Sequence, residues 1–134
     1  MKQFAEEMIQ LGAIIKPAKE DEIIQAENIL GYSFSSEYKD YLLYFGVISY
    51  EAVEVYGLGV PESSYLNILN FIAFYKDEGI SLPLNSIPLS EIGDGQYYLY
   101  NNESKKILIW SSATETILEE KQISLEAFLK ALFS

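Results

Sequence analysis

Apolar positions along the chain recur first with a helical period, then with a strand period, and at the end with a helical period again. Over residues 2–11, Phe4, Met8 and Leu11 share one helical face, and Gly12 is a natural stop. Pro17 closes a short connection over 13–16. Glu20, Asp21 and Glu22 then open a second helix with acids where the helix dipole favours them. Ile23, Ala26 and Leu30 form its inner face, Ile24 and Ile29 flank it, and Gly31 ends it. Ser35 is placed to cap a third helix. Because Tyr38, not Glu, follows three residues later, the capping box is incomplete. Tyr38, Tyr41, Leu42 and Phe45 make an i, i+3, i+4, i+7 stripe that stops at Gly46.

The period changes in the middle of the chain. Residues 47–50 and 53–58 are rich in strand formers, and the second run ends at Gly57-Leu58-Gly59. Residues 65–75 read as a buried helix carrying Leu66, Leu69, Ile72 and Ala73, with Gly79 beyond it. Residues 87–92 resume as a strand, and Pro88 argues for an edge or a strand start. Gly93-Asp94-Gly95 is a turn signal with positive φ expected at glycine. Residues 96–101 and 106–111 then read as a hairpin across 102–105. In the second of these runs both faces are apolar, as in a strand packed on two sides. Alternation separates Tyr98 and Tyr100 from Tyr97 and Leu99, and one of those pairs is expected to reach solvent. Residues 114–118 are a further candidate strand. Ser124 caps a last helix with Leu125, Phe128, Leu129 and Leu132 on one stripe. Segregated runs of this kind predict an α+β fold: a small, mainly antiparallel sheet flanked by helices. The 134 residues suit one domain over 1–134, with a core over 19–134 and an N-terminal helix over 2–11.

Charge changes the picture more than composition does. Twenty acids face nine bases, a formal charge of −11; every base is lysine, and histidine and cysteine are absent. Residues 46–95 hold seven acids and only Lys76. Nucleic acid and anionic membranes need the opposite sign, so neither is expected as a partner. A basic protein would be attracted and steered in; the plainer alternative is that excess acid aids solubility. Glu6 and Glu7 interrupt the first apolar run, so it does not read as a signal peptide. No stretch reaches the roughly 20 apolar residues of a membrane span. A soluble, cytoplasmic protein is expected.

Chemistry finds few candidates. Without His, Cys or Arg there is no usual triad, no His/Cys metal cluster and no bidentate phosphate clamp, so neither catalysis nor a cofactor or metal is expected. Ser36-Glu37-Tyr38-Lys39 has Ser–Lys spacing but lies on an amphipathic helix where Lys39 should face water. Gly93-Asp94-Gly95 lacks the alternating oxygen ligands of a calcium loop. Gly57-Leu58-Gly59 opens no helix that could cradle phosphate. The eleven tyrosines are either half-buried core or interface residues. Tyr38 and Tyr41 are assigned to the core by their stripe, and Trp110 is read as a core anchor.

An ordered set of motifs then stands out. Residues 22–31 end in Leu30-Gly31. Phe34-Ser35-Ser36-Glu37-Tyr38 leads into a tyrosine-bearing helix ending at Phe45-Gly46. Val55-Tyr56-Gly57-Leu58, Gly93-Asp94-Gly95-Gln96-Tyr97-Tyr98, the run from Ile107 to Trp110, and Ser124 to Leu129 follow in order. Together these resemble the SUKH superfamily over most of residues 19–134. Ser35 stands where that family usually has proline, and Val47 where a second glycine is common. The resemblance implies an α+β fold with a small antiparallel sheet. It also implies a non-catalytic role in protein binding: bacterial members resemble immunity proteins that neutralise toxins, often nucleases, and fungal relatives resemble regulators of cell-wall synthesis.

The expected function is therefore an immunity protein that binds a cognate, basic toxin, as a monomer or weak homodimer. An intracellular scaffold or regulatory module is the alternative, and a small-molecule binder or enzyme using the tyrosine-rich region is the third. The expected partner surface comprises Glu51, Glu54, Asp77, Glu78, Glu91 and Asp94, with Tyr50 and Tyr97 as aromatic anchors.

Overall fold

A computed structural model describes all residues, 1–134. Five helices and seven strands follow in the order α1 (Lys2–Gln10), β1 (Ile14–Ile15), α2 (Glu20–Leu30), α3 (Ser36–Tyr44), β2 (Ile48–Tyr50), β3 (Val53–Val55), α4 (Ile68–Asp77), β4 (Ser86–Gly93), β5 (Gln96–Asn101), β6 (Ile107–Ser111), β7 (Thr116–Lys121) and α5 (Leu125–Leu132). The fold is α+β, with two antiparallel sheets ordered β1-β2-β3 and β4-β5-β6-β7. One isolated parallel bridge, between Gly57 and Asn67, lies outside them.

Local chemistry sets the helix starts. The Glu22 carboxylate accepts the Lys19 backbone N–H at 3.0 Å, and Gly31 ends α2 with φ 83°. Ser35 Oγ accepts the Tyr38 N–H at 3.1 Å, Asn67 Oδ1 the Leu69 N–H at 2.8 Å, and Ser124 Oγ the Ala127 N–H at 3.2 Å. Each satisfies a donor that the first turn leaves without a partner.

Helices α3 and α5 pack on one face of the four-stranded sheet, and α1 packs against the end of α3. Tyr38 stacks on Tyr100 at 5.7 Å, Tyr98 meets Phe128 edge-on at 4.9 Å, and Phe4 meets Phe45 at 5.3 Å. Phe4, Ala5 and Met8 place α1 in this same core. On the other face Leu99, Leu108 and Trp110 form a second, small core under Ile80, Leu82 and Tyr97, with Tyr75 of α4 6.0 Å from the indole. β6 is thus packed on both sides, as its sequence predicts. Covering both faces also overturns one expectation: Leu99 and Tyr100 are buried and Tyr97 and Tyr98 half-buried, so neither pair reaches open solvent.

Two further differences have physical causes. β1 spans only two residues, Ile14 pairing with Ser49 and Ile15 with Ile48, which is too short to show a period. Helix α4 is phased differently from the expected stripe. Asn67 caps it, so Ile68 and Phe71 turn inward while Ala73 and Phe74 turn out. A segment apolar on nearly every side carries no unique phase.

The sheets meet at β3 and β4. The Tyr56 N–H donates to Leu89 O at 2.8 Å, and the Ser90 hydroxyl donates to Glu54 O at 2.7 Å. Pro88 lies in β4, the terminal strand of its sheet, and the register shifts between Pro88 and Ser90. Behind this junction three glycines meet two backbone carbonyls. A Cβ on Gly46 or Gly59 would lie 1.7 or 1.8 Å from Lys16 O, and a Cβ on Gly57 1.6 Å from Gly46 O. Backbone touches backbone there, and no side chain fits between.

Candidate protein-binding surface

The β2–β3 hairpin and the outer end of β4 bring two of the expected acids to one cleft. Glu54 is half-buried on β3, and Glu91 is exposed on β4. With Tyr56, Tyr65, Ser90 and Leu132 they line a cleft of about 380 Å³. The Tyr65 hydroxyl donates to Glu54 Oε2 at 2.5 Å, although Tyr65 itself is 64% exposed. This bond holds one carboxylate in place while leaving its other oxygen open.

The hydroxyls around the cleft stay protonated. Burial pushes the Tyr56 phenol up to about 12, with Glu91, Tyr75 and then Glu54 adding to the shift. Tyr97 is raised further, first by burial and then by its bond to Tyr75, the two hydroxyls lying 2.8 Å apart. A buried phenolate beside carboxylates would be a second unpaired negative charge, which low-dielectric surroundings oppose. The cleft therefore presents two carboxylates and neutral hydroxyls, a set that accepts cations and N–H donors. No group of three or more acids is arranged to hold a metal ion.

The other expected residues lie apart from this cleft. Glu51 sits exposed at the tip of the β2–β3 turn with φ 54°, and Asp94 at the β4–β5 turn with φ 52°. Asp77 ends α4 and Glu78 caps it. Tyr50 is half-buried with its ring 6.4 Å from Phe133, beyond α5. Tyr97 pairs with Glu91 across β4 and β5, but its ring packs on Phe71 at 5.1 Å and near Trp110 at 6.3 Å. Both tyrosine rings thus pack against other aromatic side chains of the fold. Sequence reasoning missed Tyr65, which sits in an irregular loop with no periodic relation to Glu54. It placed Tyr56 in the strand run over 53–58 and did not include it among the binding residues.

Ion pairing separates this region from the rest of the molecule. Lys39 pairs with Glu27, Lys106 with Glu120, Lys121 with Glu119, and Lys130 and the Met1 amino group both with Glu126. All of these lie outside residues 46–95, where seven acids and Lys76 make no ion pair. Lys39 is partly exposed, as its helix face predicts, with Glu27 at 3.6 Å. No helix is long and apolar enough to cross a membrane.

Comparison with known proteins agrees with this architecture. The family model SUKH_5, described as SMI1-KNR4 cell-wall, matches residues 1–134. A search of the curated proteins found no match. Among solved structures, a crystal structure of a protein from Pseudomonas syringae pv. tomato superposes with a TM-score of 0.71 at 20% identity, covering 97% of this chain and 96% of that one. At that identity the likeness shows the shared fold.

Proposed function

The chain belongs to the SUKH family of SMI1-KNR4 cell-wall proteins, and from that premise we propose that it is a non-catalytic immunity protein that binds and neutralises a cognate basic toxin in the cytoplasm. One observation carries the reading: the acids of residues 46–95 have no cationic partner within the fold. Unpaired surface carboxylates cost little in water, but their joint field raises the on-rate of a positively charged partner. The Glu54–Glu91 cleft, with Glu51 on the same hairpin, is the part of that field with a fixed shape. A nuclease that must hold phosphate presents a basic surface, which such a cleft would occlude.

The test is growth rescue. Candidate toxin domains encoded in the same genome are expressed with and without this chain, and surviving pairs are checked for a stable complex. Rescue with complex formation is expected for one toxin; absence of rescue across all of them would refute the reading. The cell-wall wording of the family description favours a second reading, a regulatory protein-interaction module. Deletion of the gene would then alter cell-wall integrity with no toxin present.

A further inference from the structure

We propose that the groove between the C-terminal end of α2 and the outer face of α4 docks a cationic amphipathic helix of the partner, apolar side chains over Leu69, Ala73 and Phe74 and lysine or arginine against Glu62 and Asp77. The proposal rests on the reading that the chain binds a basic protein, and it names a surface separate from the Glu54–Glu91 cleft.

The groove has a volume of about 500 Å³ and is lined by Ile29, Leu69, Ala73 and Phe74, with Glu62 and Asp77 among its polar residues. Ile29 is 58% and Phe74 57% exposed. Large apolar side chains left open side by side, with a polar rim, mark an interaction surface. One wall is fixed by the loop before α4. The Asn70 side-chain N–H donates to Glu62 O at 3.0 Å, and the Ser64 N–H to Pro61 O at 2.9 Å.

Charge selects the occupant. Asp77 and Glu78 stand at the C-terminal end of α4, where the helix dipole disfavours acids. Neither they nor Glu62 form an ion pair. Unpaired carboxylates and the negative end of a dipole together make a seat for a cation. Lys76, the one nearby base, lies along a different cleft with Leu30, Tyr32 and Ile72. A second copy of this chain is a poor occupant, since it carries its own Glu62 and Asp77 and a charge of −11. The helix-in-groove mode fits an open trough beside an exposed helix, read by anchors spaced i, i+3, i+4.

The test uses the full chain and two synthetic helices of roughly 18 residues, one of leucine and lysine, the other of leucine and glutamate. In an NMR titration the lysine peptide should shift amides of α4, Ile29 and residues 61–64. The glutamate peptide should bind at least about tenfold more weakly, and Phe74→Ser or Ile29→Ser should weaken the lysine peptide about tenfold. Both side chains are more than half exposed, so circular dichroism should show intact folds. Glu54→Lys/Glu91→Lys should leave the titration unchanged. Shifts centred on the Glu54–Glu91 cleft, equal binding of both peptides, or indifference to Phe74→Ser would overturn the proposal, as would self-association of the wild type that Phe74→Ser abolishes. The peptide arm needs no toxin, so failure of toxin rescue counts against the immunity reading alone. Rescue that survives both groove variants counts against the groove alone.

Discussion

Replacing Gly57 by alanine probes the close backbone approach behind the junction of the two sheets. The added Cβ would stand 1.6 Å from Gly46 O and 3.3 Å from the Tyr41 ring. Gly57 has no left-handed φ to lose, so the whole effect is steric. Reaching an ordinary contact near 3.4 Å requires the two backbones to part by about 2 Å. That movement breaks the Leu58 N–H bond to Gly46 O at 3.1 Å and strains both bonds of Gly57, from its N–H to Leu66 O and from the Ile68 N–H to its carbonyl, each 2.9 Å. A buried polar group left unpaired costs about 1–3 kcal/mol, and forcing volume into a packed interior costs roughly 1–3 kcal/mol more. The expected loss is about 3–5 kcal/mol, a large share of the roughly 5–15 kcal/mol that holds a domain folded. For a chain of this size it lowers Tm by about 10–20 °C. Urea and thermal unfolding followed by circular dichroism measure it. The control is Gly31→Ala, where φ is +83° and nothing lies within 4 Å; conformational strain alone costs about 1–2 kcal/mol there. A Gly57→Ala protein within about 1 kcal/mol of wild type, or one more stable than Gly31→Ala, would refute the steric argument.

Other expectations follow from the same structure. Glu54→Lys/Glu91→Lys should slow association with a basic toxin about tenfold at low salt, the difference shrinking as salt screens the field; equal rates for variant and wild type at low salt in stopped-flow mixing would show that the cleft plays no electrostatic part. Ser35→Ala removes the cap on Tyr38 and the 2.7 Å bond to the Tyr100 hydroxyl, and urea titration should show a loss of about 1–2 kcal/mol. Alkali should unfold the protein through its tyrosines. Burial holds Tyr32 and Tyr56 at about 12 and raises Tyr38 and Tyr41 well above the ordinary phenol value, whereas unfolded tyrosine titrates near about 10. Above that pH the native state keeps protons that the unfolded chain has lost. The stability is therefore whole below pH of about 10 and drains as pH climbs through about 12. Urea midpoints that stay level across that window, or tyrosinate absorbance that rises fully before unfolding, would contradict this.

Much of the fold was legible because its signals are local. Ser35 and Ser124 announce helix starts through their hydroxyls, Gly31 a helix end, and Gly93-Asp94-Gly95 a turn. The stripe from Tyr38 to Phe45 has one phase, and its core placement follows from that. The strand from Ile107 to Ser111 declares burial on both sides because neither face carries charge. What stayed hidden depends on partners distant in sequence. Ile14 and Ile15 become a strand only because Ile48 and Ser49 lie alongside. The outward turn of Phe74 is decided by Asn67 and by Phe71 packing on Tyr97. The acids were visible as a charge excess, but Glu54 and Glu91 share a cleft through long-range links, the Ser90 hydroxyl to Glu54 O and the Tyr56 N–H to Leu89 O. Asp77 and Asp94, close to them in composition, are carried elsewhere by the topology.

Strand β7 has one bonded neighbour, β6, and five of its six residues are exposed, Ile117 and Leu118 among them. An open rim of unpaired amides and carbonyls is a template on which any passing extended chain could build. Here the guards are Glu119, Glu120 and Lys121, together with the irregular register between Ile109 and Trp110. Glu119 and Glu120, paired with Lys121 and Lys106, thus set charge along the rim that a second copy would have to meet. Near the isoelectric point of about 4.3 that protection falls away, and the protein's solubility rests on the kink in its last ladder.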